Sequence, residues 1–150
     1  RALAYLIWLM PLPDREMETV ADKLRLPAAI LSALRTGNHL RAELETLITA
    51  PVSQIVERFE STSRPALYAI YKQGISPDVN EMIEQYLSKW QYLDIITDGA
   101  VLKSMGIPPG PIYSRILTTL RAARLDGQID SDEEERALLK QMVRAIATLD

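Results

Sequence analysis

No cysteine occurs in this sequence. Its absence removes disulfides, thiol nucleophiles and thiolate metal sites together, and it suits a reducing cytoplasm. Histidine is nearly absent as well. His39 is single, so no second imidazole or thiolate completes a zinc site, and the serines have no histidine base in any hydrolase motif. Tandem repeats, low-complexity segments and strand-like alternation are missing too. Long apolar runs are short: ALAYLIWLM, residues 2–10, stops at Pro11, too early to span a bilayer, and it has no basic leader or cleavage site. The stretch reads as a core helix, and no membrane partner is expected. Arg1 abuts it with neither Met nor a capping residue, so the expectation is a piece of a longer polypeptide.

What is present is globular material. Of 150 residues, 47% are apolar and 25% charged, with six Tyr, two Trp and one Phe, which is enough to enclose a core and too apolar for disorder. The length fits one domain or two small helical lobes. Net charge is −3, but its distribution is uneven. Residues 101–125 hold Lys103, Arg115, Arg121 and Arg124 and no acid. Residues 126–135 hold Asp126, Asp130, Asp132, Glu133, Glu134 and Glu135 and no base. A basic segment thus adjoins an acidic one, and local fields of this kind attract ligands more than the total does.

Helix punctuation recurs along the chain. Leu26-Pro27 opens a helix that Gly37-Asn38 is expected to close. Ser63 caps PALYAIYKQ, which ends at Gly74. Ser76 and Pro77 start a helix with Val79, Met82, Ile83, Tyr86, Leu87 and Trp90 on one stripe. Ser131 and Glu134 form a capping box ahead of ERALLKQMVRAIATL. The pattern predicts an all-α irregular array of about eight or nine short to medium helices with short joints. Composition shifts softly near 94–98, dividing a body-like region, 1–94, from a tail-like region, 95–150, that together form one continuous unit.

The strongest local signal is MGIPPGP, residues 105–111. Pro108 and Pro109 exclude helix, Gly110 is expected to permit a tight capping geometry, and Pro111 pre-sets the first dihedral of a new helix. The amides of Ile112, Tyr113 and Ser114 then lack intrahelical partners at the positive end of the macrodipole, where an anion is favoured. On a helical wheel Ile112, Ile116, Leu117, Leu120 and Ala123 share a buried face. Arg115, Thr118 and Arg121 lie opposite, with Arg124 at the border. Guanidinium forks match phosphate oxygens, and Lys103 adds charge from the preceding helix. The plain alternative is a packed turn with solvated arginines.

These residues carry a resemblance. TDGAVLKSMGIPPGPIYSRILTTLRAARLDGQIDSDEEERALL resembles the C-terminal region of the tRNA nucleotidyltransferase and poly(A) polymerase family, through Asp98-Gly99, Leu102, Gly106, Pro109-Gly110-Pro111, Ile116-Leu117, Asp126-Gly127, Ile129 and the acidic start of the last helix. It covers about residues 94–139. Ser114 and Arg115 depart from the family's usual glycine and acidic residue. The resemblance implies a helical body and tail that hold the acceptor arm or elbow of tRNA, with no DNA partner. It also implies a catalytic amino-terminal head elsewhere that binds Mg2+ and ATP or CTP. No G-S then D-x-D pattern occurs here, so this chain is expected to be non-catalytic and to hold no cofactor itself. Whether the parent adds CCA, A alone or poly(A) is left open.

Other constellations are weaker. LDGQIDSDEE sets Asp126, Gly127, Ile129, Asp130 and Glu133 at EF-hand positions, but Ala122 and Arg124 fall where two carboxylates are required. Arg64, Tyr68 and Lys72, four residues apart, suit RNA stacking and backbone neutralisation. They suit equally an ordinary amphipathic rim with Tyr68 partly buried, which is the favoured reading. Glu43 and Glu45 point to different sides of a helix and read as solvated. The competing function is a helical protein-binding scaffold using the acidic 126–135 segment or the apolar 2–10 stretch. The latter could also mediate self-association, as a face from which a preceding part was cut.

Overall fold

The structure is a computed structural model, and it describes residues 2–147, with side chains to residue 146. Among the described residues there are no strands. Nine α-helices follow one another: α1 (Ala2–Leu9), α2 (Asp14–Lys23), α3 (Ala28–Leu47), α4 (Val52–Glu60), α5 (Arg64–Gln73), α6 (Pro77–Ser88), α7 (Gly99–Ser104), α8 (Pro111–Leu125) and α9 (Asp132–Ala147), with a 3-10 turn at Trp90–Tyr92. The fold is an all-α irregular helical array. Thr148 and Leu149, expected in the last helix, lie outside the described residues. The chain divides into two compact units, one up to Gln91 and one from Tyr92 onward.

Proline sets most of the helix starts. Pro13, Pro27 and Pro51 occupy the N-cap positions of α2, α3 and α4 in extended conformation, and Pro65, Pro77 and Pro111 lie in the first turns of α5, α6 and α8. A fixed φ and a missing N–H cost nothing there, because first-turn amides have no intrahelical partner. Ser76 caps α6 by accepting from Val79 N at 3.2 Å. Ser63 occupies the N-cap of α5 without a side-chain cap bond.

In the first unit α5 is central, packing against α1, α3 and α6. Its buried face is Ala66, Leu67, Ala69 and Ile70, and the two alanines let neighbouring helices approach. Phe59 and Tyr86 meet edge to face with ring centres 5.2 Å apart. α6 buries Val79, Met82, Ile83 and Tyr86, while Leu87 of the expected stripe stays exposed. Two other expectations need correction. α3 does not stop at Gly37-Asn38 but runs on to Leu47. A Cβ on Gly37 would lie 2.7 Å from Met10 Sδ and 3.3 Å from Ala66 Cβ, so glycine serves close packing there and not a helix end. Asn38 donates from Nδ2 to the carbonyls of Met10 and Leu12 at 3.0 and 2.8 Å, which ties the α1 exit to α3. Nor is α1 buried all round: Leu6 and Met10 enter the core, whereas Trp8 is 78% exposed.

The second unit is built around Leu102, Ile107, Ile116, Leu120 and Leu139. α7 begins with Asp98, whose carboxylate accepts from the amides of Ala100 and Val101, both at 2.9 Å. It ends at Gly106 with φ 81°, where Gly106 N donates to Lys103 O and Ile107 N to Leu102 O. This is a Schellman end, and its usual apolar contact is made by buried Leu102 and Ile107. α8 closes in the same way through Gly127, with Gln128 N donating to Ala123 O at 2.8 Å. Ser131 Oγ accepts from Glu134 N, and the Glu134 carboxylate accepts from Asp130 N, a capping box shifted by one residue.

Candidate nucleic-acid interface

The proline turn holds α8 from both sides. Ile107 is buried before it, and after it the Tyr113 hydroxyl donates to Ile107 O at 2.8 Å while the ring lies 3.7 Å from the place of a Gly99 Cβ. Pro108, Pro109, Gly110 and Pro111 are all exposed at the tip. Gly110 has φ 167° and ψ −169°, an extended backbone open to any residue, so the tight capping geometry expected of it is not used. No side chain caps α8 and its first turn contains no acid. The tip keeps the partial positive charge of a helix start.

Ile116, Leu120 and Ala123 are buried and Ile112 and Leu117 half-buried, which is the face anticipated from the wheel. Ile112 and Tyr113 therefore serve the core with their side chains, and Tyr113 N already donates to Gly110 O at 3.0 Å. Gly110 just before α8, Ser114, Arg115 and Thr118 on it, and Lys103 on α7 are exposed.

The other two arginines of α8 do not project freely. Arg121 is half-buried and engaged in an interaction of its own. Arg124 has a side chain only 18% exposed and donates from Nη2 to Asp132 at 2.7 Å, with Nε 3.3 Å from the Glu135 carboxylate. The Asp132 bond, against desolvation, holds its guanidinium above the ordinary arginine range. Arg124 is thus a brace between α8 and α9, because carboxylates one short turn away compete for it. The calcium-loop comparison meets the same geometry: Ala122 and Arg124, at the positions where two carboxylates are required, lie within α8, and Arg124 pairs with Asp132.

Glu135 is the residue that sequence reasoning missed. It is 0% exposed and accepts from Thr97 N at 2.9 Å, Thr97 Oγ1 at 2.7 Å and Ile96 N at 3.3 Å. The segment leading into α7 is thereby fastened to α9. The available signal was its register: Glu135 precedes Leu138, Leu139 and Met142 by three, four and seven residues, on the apolar face of α9.

On α5, Arg64, Tyr68 and Lys72 are all exposed, Tyr68 at 43%. Lys72 Nζ lies 5.3 Å from the Tyr68 ring centre and 5.9 Å from that of Tyr71. The Tyr71 hydroxyl donates to Glu84 at 2.7 Å, and this bond raises its pKa above the usual tyrosine value. Arg64 donates to Gln91 Oε1 at 3.4 Å. His39 is exposed in mid-helix, and Glu43 accepts a two-point bond from Arg58 while Glu45 is exposed.

Among the described residues, no group of three or more His, Cys, Asp or Glu is placed to hold a metal ion. No described helix is long and apolar enough to cross a membrane. The chain matches no protein-family model, no curated protein and no solved structure.

Proposed function

We propose that this chain is the non-catalytic RNA-holding part of an enzyme resembling the tRNA nucleotidyltransferase and poly(A) polymerase family, gripping the acceptor arm of tRNA through its phosphates. The carrying observation is the exposed, uncapped start of α8, with Arg115 and Thr118 displayed on a helix whose opposite face is locked by Ile116 and Leu120. Helix amides and a guanidinium fork presented from a rigid support suit phosphate oxygens. Lys103 adds a second cation, whereas Arg121 and Arg124 are left out. In this reading nucleotide transfer, with its Mg2+ and ATP or CTP, belongs to a separate head, and the present residues contribute by positioning the RNA 3′ end.

Binding of the chain to a tRNA acceptor minihelix and to an unrelated hairpin, titrated across salt, tests the reading. The expected result is preference for the minihelix and affinity that falls with salt, with Arg115→Glu reducing the salt slope by about one. A salt-insensitive signal, or unchanged affinity in Arg115→Glu, rejects it. A second reading, a scaffold for a basic protein partner, draws support from the exposed carboxylates of Asp130, Glu133 and Glu134.

A further inference from the structure

The first unit carries a surface that the α8 reading leaves unused. Beside the exposed Trp8 indole lies a groove of about 670 Å³, walled by Ile7 and Trp8 of α1, Arg41 of α3, and Lys72, Gln73 and Ile75 at the end of α5. Two of its lining residues are cationic and none is acidic. Both cations are held by neutral partners. Arg41 donates from Nη1 to Gln73 Oε1, and Gln73 donates onward from Nε2 to Ile7 O at 3.1 Å. Partial burial pushes the Arg41 guanidinium below the ordinary arginine range, with no carboxylate offsetting it. Lys72 faces the Tyr68 and Tyr71 rings. A carboxylate partner would stabilise either cation more than these neutral groups do, so the groove has unspent attraction for an anion.

The ligand's other half follows from Trp8. An indole 78% exposed at the rim of a cationic groove offers a flat face to a planar group, and stacking with a charge contact beside it is how single-stranded nucleic acid is held. An acidic peptide satisfies the cations but leaves the indole face without a planar partner. We infer that this groove binds an unpaired RNA nucleotide, its base stacked on Trp8 and its phosphate between Lys72 and Arg41. Tyr68 and Arg64 continue the surface along roughly 12 Å of α5, a path for the adjoining nucleotides. The inference rests on the RNA reading of the chain but not on α8.

The test uses the chain carrying Trp90→Phe, so that Trp8 is its only indole, with a five-residue oligoadenylate, adenosine and inorganic tripolyphosphate as probes. The oligoadenylate is expected to quench Trp8 with an affinity that falls as salt rises. Adenosine and tripolyphosphate should each bind at least roughly tenfold more weakly. In a labelled-oligonucleotide assay on the otherwise unaltered chain, Trp8→Ala and Lys72→Glu should each weaken binding roughly tenfold, with Trp8→Phe retaining most of it. Trp8 and Lys72 are both exposed, and circular dichroism checks that every variant, Trp90→Phe included, folds. Absence of quenching, full affinity in Trp8→Ala, or tripolyphosphate equal to the oligonucleotide overturns the inference, as does a Trp8-dependent dimer with no oligonucleotide binding. Loss of minihelix binding in Arg115→Glu with oligoadenylate binding intact supports the groove as a separate site. Oligoadenylate binding without any minihelix binding supports the groove and rejects the α8 reading.

Discussion

A carboxylate with no exposed surface persists in a folded chain only where its lone pairs and charge are met, and Glu135 accepts from two amides and a hydroxyl, with the Arg124 Nε 3.3 Å away as its ion-pair partner. Removing it leaves three donors without an acceptor and takes from the Arg124 guanidinium one of its two carboxylates, Asp132 remaining. Glu135→Ala is expected to lower stability by about 3 kcal/mol, and Glu135→Gln, which keeps one acceptor oxygen, by less; urea unfolding compares them. Near the surface the magnitudes shrink. The Arg58 bond holds the Glu43 carboxyl below its ordinary value of 4.5. Since the folded-state pKa is depressed, the contribution is fully present above that ordinary value and fades as pH falls through the lowered one. With Glu43 half exposed, screening limits it to about 0.5 kcal/mol. The difference in unfolding midpoint between wild type and Glu43→Gln should therefore be measurable at pH 7 and vanish in acid.

For a helix, the question is which end is satisfied and which is offered. α7 and α8 both finish in Schellman turns that fill their last carbonyls, and α7 and α9 start under the Asp98 carboxylate and the Ser131 hydroxyl, so among the described helix starts of this unit that of α8 is left without a side-chain cap. Gly110 has an extended backbone, and a Cβ there meets nothing within 4 Å. Gly110→Asp should therefore be accepted, stabilise the second unit by a few tenths of a kcal/mol through capping, and weaken RNA binding by placing a negative charge at the tip. Thermal unfolding and minihelix titration report the two effects separately. Loss of stability together with binding would show that Gly110 is required by the fold.

Two cooperative blocks are expected in the molecule as a whole, because each unit has its own buried core. Native-state hydrogen exchange should divide protection at Gln91 and Tyr92. Gly37→Leu, which forces a side chain into the space of Met10, should lower protection and cost about 2 kcal/mol in the first block. Glu135→Ala should do so in the second. Uniform loss of protection from either change would contradict two blocks.

Helix existence and type were readable in the sequence because proline, serine and glycine act locally. A residue such as Pro111 or Ser76 fixes dihedrals and amide partners within one turn, whatever surrounds it. The buried face of α8 was readable for a similar reason, since the 3.6-residue period is a property of one element. Reading failed where a residue's role depended on another element: Gly37 resembles a terminator until Met10 and Ala66 are seen against it, and Trp8 resembles core until α1 is found to bury only one side. Arg124 and Glu135 show the same limit in charge. Composition placed them in adjoining basic and acidic segments, and only the packing of α9 on α8 decided that they face each other. Local dihedral preference and periodicity are written in neighbouring residues, whereas burial and pairing of charges arise from distances between segments that only the folded chain sets.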